Sequence, residues 1–97
     1  MSVPRFPIGI YRVAERSMEP SIKEGAYVMV NRWFVSLSAG NVVVARGVDG
    51  VPMVKRIKRI EGERLFLLGD NPSVSVDSRR FGLLDRKRVV GKVIATI

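Results

Sequence analysis

Neither cysteine nor histidine occurs among the 97 residues. Without cysteine there is no disulfide framework and no thiolate nucleophile, and with histidine also missing the soft ligand sets of zinc, copper and iron–sulfur sites cannot be assembled. A histidine-based catalytic triad is excluded as well. The base for any hydroxyl nucleophile must therefore be lysine, a carboxylate or an amino terminus. No metal and no cofactor is expected. Long apolar runs are also missing: nothing approaches the roughly 18 residues of a membrane span. The N-terminal MSVPRFPIGIYRV lacks the apolar core of a secretory signal. These two absences predict a soluble, cytoplasmic chain without a transmembrane segment, although contact with a membrane surface is left open.

Acidic residues are scarce, nine against 17 Lys and Arg, for a net charge of +8. Such a balance fits an acidic partner or simple solubility. The basic residues cluster in Lys55-Arg56-Ile57-Lys58-Arg59 and in Arg86-Lys87-Arg88. No aromatic residue interleaves them as a stacking platform for single strands requires, so a nucleic-acid partner is not expected. A basic β-barrel that binds phosphates stays as the alternative function.

What the sequence does contain is a series of short β-branched segments: Ile8 to Val13, Tyr27 to Asn31, Asn41 to Arg46, Met53 to Ile60, Arg64 to Leu68 and Val89 to Ile97. Each reads as a strand. Gly, Pro, Asn and Asp punctuate the gaps, with an Asp-Gly hairpin signal at Val48-Asp49-Gly50-Val51. Met18 to Ile22 fits one short turn of helix, Pro20 taking an early position. The expectation is a mostly β protein, an all-β fold in which a small antiparallel sheet curls into a partly closed barrel. Residues 1–97 are expected to form a single domain.

Ser17 follows the first strand, in Ser17-Met18-Glu19-Pro20-Ser21-Ile22, where a chain that turns can present a hydroxyl. A serine there is more often a cap or turn residue. Lys55 falls in a strand whose neighbours Val54, Ile57 and Ile60 are apolar. Either it snorkels to solvent, or burial disfavours its ammonium and leaves an amine able to take a serine proton. Lys58-Arg59-Ile60 repeats the Lys55-Arg56-Ile57 triplet, and the odd offset puts the two ammonium groups on opposite faces. Lys55 is preferred because it follows Pro52-Met53-Val54 at the start of the strand.

The segment Gly69-Asp70-Asn71-Pro72-Ser73-Val74-Ser75-Val76-Asp77-Ser78-Arg79-Arg80-Phe81-Gly82 carries a resemblance. Its spacing is similar to the C-terminal signature of the signal peptidase I family of serine peptidases. Ser17 to Ile22 resembles that family's nucleophile motif, and Lys55-Arg56-Ile57 its lysine motif. Gly25 to Val30 and Gly40 to Val44 resemble two intervening strand motifs, so the likeness runs in order from about Tyr11 to the C-terminus. It implies the fold shared by signal peptidases and self-cleaving repressor peptidases. It also implies a serine endopeptidase that removes an N-terminal leader or signal segment from a precursor. Ser17 would be the nucleophile, Lys55 the general base, and Ser75 would orient the lysine amine. Asp77 and Arg79 would support that loop as an ion pair, while Gly69, Asp70 and Asn71 would shape its turn. Small side chains would be preferred before the cleaved bond, the peptide lying as an added strand.

The chain is similar to the short branch identified as nickel-type superoxide dismutase maturation proteases, which makes that enzyme's precursor the candidate substrate. Two departures from the family stand out. Glu15 occupies a position usually small or hydroxylated, two before the nucleophile, where a carboxylate would repel a developing oxyanion. It is expected to point away, and it motivates a further alternative, an inactive peptidase fold kept for interactions. Ala26 and Asn41 stand where the family often has Asp, which implies lost turn contacts.

Overall fold

Short apolar runs rich in β-branched residues lay down most of the strands in a computed structural model that describes residues 7–33 and 36–97. The first six residues of the N-terminal stretch read above for a secretory signal lie outside the described residues. The strands are β1 (Ile8–Arg12), β2 (Tyr27–Asn31), β3 (Val42–Arg46), β4 (Pro52–Glu61), β5 (Arg64–Leu68), β6 (Leu84–Asp85) and β7 (Val89–Thr96). All pairings are antiparallel, in the order β1-β2-β7-β3-β4-β5-β6, and the sheet curls into a half-barrel. The mostly β expectation holds. Among the described residues no helix is long and apolar enough to cross a membrane, and no group of acidic side chains could hold a metal ion.

Adjacent residues of β3 bury on opposite sides. Val43 and Ala45 join Leu37, Ile57, Leu65, Leu67, Leu84 and Val89 in one cluster. Val44 joins Val13, Met18, Ile22, Val28, Val30 and Val54 in another. This is why Val42 to Ala45 reads as an unbroken apolar run: a strand covered on both faces has no polar face to alternate with. Burying a valine fully, as at Val28, Val30, Val43 and Val44, is worth about 1.5–3 kcal/mol each. The second cluster matters most for function, because Met18 and Ile22 pin the segment that carries Ser17 to the sheet.

The Asp-Gly signal forms the β3–β4 hairpin, with Gly50 at φ +80° and the Val51 N–H donating to the Asp49 carboxylate at 3.0 Å. Met18 to Ile22 makes a single hydrogen-bonded turn, the Ile22 N–H donating to the Met18 carbonyl at 2.8 Å, and does not extend into a helix. Asn41 corrects one expectation: its side-chain oxygen accepts the Ser38 N–H at 2.8 Å, so a turn contact is made there without an aspartate. Three short elements lie beyond what periodicity reveals: β6, the four-residue helix α1 (Ser78–Phe81), whose N-cap is Asp77, and a 3-10 turn at Arg86–Arg88. None is long enough to show a period.

Candidate active site

Ser17 sits in the 13–26 connection between β1 and β2. The ends of that connection are clamped together, the Val13 N–H donating to Ala26 at 2.8 Å and the Gly25 N–H to Val13 at 2.7 Å. With Met18 wholly buried beside it, the serine is drawn inward to 2% exposure. Its backbone is held from a distant part of the chain. The Asn71 N–H donates to the Ser17 carbonyl at 2.8 Å, and the Asn71 side-chain amide donates to the Arg16 carbonyl at 3.2 Å. The Ser17 N–H donates to no acceptor among the described residues.

Lys55 is buried to 1% exposure, whereas Lys58 is exposed. The difference follows from the strand: Lys55 shares the face of Met53 and Ile57, and the register of β4 against β5 shifts between Ile57 and Arg59. A buried ammonium needs a partner. Glu15 supplies one, its Oε1 accepting from Lys55 Nζ at 3.2 Å. The same oxygen accepts from Ser17 Oγ at 3.4 Å. The hydroxyl and the amine thus converge on one carboxylate oxygen. Glu15 does not point away, as its position had suggested. The signal available was chemical: a lysine buried in a strand calls for an anion, and Glu15 is a carboxylate close to Ser17 in the chain.

Residues 69–82 form the third part of the site. A Cβ at Gly69 would meet Ser75 Oγ and would lie 2.6 Å from the Ser17 carbonyl oxygen, so only glycine allows this approach. Asp77, 1% exposed, gathers the loop around its carboxylate. Oδ2 accepts from the Gly69 N–H at 2.9 Å, from Ser75 Oγ at 2.7 Å and from Arg79 Nη2 at 3.0 Å. Oδ1 accepts from the Arg79 N–H at 3.2 Å and from Arg79 Nε at 2.9 Å. Burial by itself would raise the Asp77 carboxyl, but the bonds from Arg79, Gly69 and Ser75 outweigh it and hold the group well below the ordinary carboxylate range.

Ser75 therefore donates to Asp77, and no hydrogen bond joins it to Lys55 among the described residues. Asp70 has a partner that its motif did not reveal, a bidentate pairing with Arg56 at 2.9 and 2.7 Å. The Arg56 hydrogen bonds lower the Asp70 carboxyl. Arg56 Nη1 also donates to the Gly40 carbonyl at 2.9 Å, so one guanidinium ties β4 to two turns. Buried Ser78 ties α1 to β5, its Oγ accepting the Leu67 N–H at 2.8 Å.

Peptidase S24-like sequences match residues 3–94 of the chain. The chain belongs to that family. It is a serine peptidase at the level the family defines. Signal peptidase IB from Staphylococcus aureus strains Mu50, N315 and MW2 is 26% identical over 149 residues, covering 94% of this chain and 78% of the relative. That aligned stretch is longer than the whole chain of 97 residues, so the relative carries residues with no counterpart here.

Beside Ser17 the peptidase has a mostly apolar cleft of about 220 Å³, lined by Tyr11, Val13, Glu15, Val44, Met53 and Val54 among others. A second hollow of about 340 Å³ continues it past Val48, Val76 and Phe81. Ala14, Glu15, Val51, Pro52 and Met53 line both, so Glu15 stands where the two meet. Val48, Val51 and Val76 leave apolar surface exposed along the rim.

Proposed function

We propose that this serine peptidase uses a Ser17–Lys55 dyad to remove an N-terminal leader segment from a precursor protein, with residues 1–97 acting as one domain. The observation that carries the proposal is the convergence of a buried serine hydroxyl and a buried lysine amine on one point beside an apolar groove. In the reaction Ser17 Oγ attacks the scissile carbonyl carbon and its proton passes to the Lys55 amine, once that group has given up its ammonium proton to water. The Ser17 N–H, which no described residue engages, is a donor for the resulting oxyanion. Collapse of the tetrahedral species breaks the C–N bond, and Lys55 returns its proton to the departing amine. Water then enters and gives a proton to Lys55 as its oxygen bonds the acyl carbon; the bond from that carbon to Ser17 Oγ breaks, and Lys55 hands the proton to Ser17 Oγ.

Gly69, Asp70, Asn71, Asp77 and Arg79 position this machinery, chiefly by holding the Ser17 backbone through Asn71. Ser75 stands between the Asp77 carboxylate and Gly69, and its oxygen keeps a lone pair with which to accept from the lysine amine once that amine leaves Glu15. Leader removal is supported by the likeness to a protein named as a signal peptidase. The precursor of nickel superoxide dismutase is the substrate to try first, on the resemblance to its maturation proteases. Wild-type protein should cleave a leader-bearing precursor and become acylated on Ser17 by a penem, read by intact mass and peptide mapping. Ser17→Ala and Lys55→Ala should do neither. Cleavage that persists in both variants would overturn the dyad.

A further inference from the structure

In the arrangement observed, the dyad is assembled but wired to the wrong acceptor. Ser17 Oγ–H donates to Glu15 Oε1 at 3.4 Å, and Lys55 Nζ donates to that same oxygen at 3.2 Å. A base must accept the serine proton, yet here the amine is itself a donor, and the hydroxyl proton points at a carboxylate. For the reaction to begin, Glu15 has to leave.

Leaving is easy for this side chain. It is 55% exposed although its partner Lys55 is 1% exposed, and its residue lies in the unpaired connection after β1. No backbone hydrogen bond fixes Glu15 among the described residues. It also stands where the two hollows of the groove meet, so a peptide occupying both must push it aside. We propose that Glu15 is a carboxylate latch: it closes the dyad in the free enzyme, and an extended peptide entering the groove displaces it into solvent, the ammonium proton of Lys55 passes to water as its counter-ion leaves, and the freed amine and Ser17 are released to each other. This rests on the dyad reading above and adds its regulation, namely that the nucleophile is armed by occupancy of the groove.

A latch has a quantitative signature. If substrate and reagent react only with the open form, both are taxed by the fraction of enzyme that is open. Removing the carboxylate then raises the second-order rate of Ser17 acylation and lowers KM by one and the same factor, while kcat barely changes. A charge-assisted bond whose acceptor is half in water sets that factor at about tenfold. A residue that merely stabilised the fold would not move KM and the acylation rate together in the favourable direction.

The test compares wild type, Glu15→Gln and Glu15→Ala with a penem as acylating probe and a fluorogenic peptide carrying alanine before the cleaved bond. Thermal melts check folding. Acylation should rise in the order wild type, Glu15→Gln, Glu15→Ala, since the amide can still accept weakly from both groups. KM should fall in step. Equal or slower acylation in both variants, with Ser17 labelled in wild type and Lys55→Ala silent, overturns the latch and leaves the dyad standing. No labelling of Ser17 in any of the three proteins overturns the dyad and the latch with it.

Discussion

Replacing Asp77 by asparagine should destabilise the protein strongly and in a pH-dependent way. All five contacts of the carboxylate are with donors, from Gly69, Ser75 and Arg79. An asparagine keeps one acceptor oxygen and presents an amide NH₂ where the other oxygen was, so one side of the cluster loses its acceptor. Arg79 is 43% exposed and can turn to water, so its share is small. The Gly69 N–H is buried against Ser75 and the Ser17 carbonyl and cannot do so. An unsatisfied buried donor together with a disrupted buried network costs about 2–4 kcal/mol. For a domain near 100 residues, each kcal/mol lowers Tm by about 4–8 °C. At pH 7 the variant should therefore melt about 8–30 °C below wild type.

The pH dependence separates this account from simple repacking. Because the folded carboxyl is depressed from 3.8, its stabilisation is fully present above that value, where folded and unfolded chains are both ionised. It is lost as pH falls below 3.8 toward the folded value, because the unfolded chain binds the proton first. The gap between wild type and Asp77→Asn should thus narrow in acid. Calorimetry or thermal circular dichroism from pH 7 to about pH 2.5 spans that window. A melt within a few degrees of wild type at pH 7, or a gap that stays constant through the acid range, would refute the role given to the carboxylate.

Three further outcomes can be measured on the same material. Gly69→Ala should cost about 1–3 kcal/mol, since its Cβ falls 2.6 Å from a backbone oxygen that cannot move without shifting Ser17, and penem acylation should slow with it; urea titration and mass spectrometry read both. Lys55→Met should abolish cleavage yet melt no lower than wild type, because an apolar side chain of similar length removes a buried charge whose partner Glu15 can turn to water; a large loss of Tm would count against that burial cost. Val51→Trp should fill the shared wall of the two hollows and raise KM for a peptide by about tenfold, with penem acylation little changed; unchanged peptide kinetics would place the substrate elsewhere.

Much of the fold was legible because strand formation here is local. Tyr27–Asn31 and Arg64–Leu68 are short apolar runs closed by turn residues, so their bounds follow from the sequence, and the Asp49-Gly50 pair announces its own hairpin. β6 and α1 escaped because two or four residues carry no period, and their stability comes from contacts made elsewhere, Arg64 with Asp85 and Asp77 with Arg79. Arg56 and Asp70 looked like a strand residue and a turn residue, and their bidentate pairing depends on how the 69–71 turn folds back over β4.

By itself the sequence determined the chemistry that is open to this protein. With no cysteine and no histidine, a hydroxyl nucleophile had lysine, a carboxylate or an amino terminus for its base, and the ordered motifs pointed to Ser17 and Lys55. The odd offset already put Lys55 and Lys58 on opposite faces, and tertiary structure decided which of those faces is covered, burying Lys55 and leaving Lys58 exposed. It also decided where Glu15 points. A side chain on an unpaired loop takes its direction from what packs around it, and here the buried ammonium, 40 residues along the chain, drew the carboxylate in.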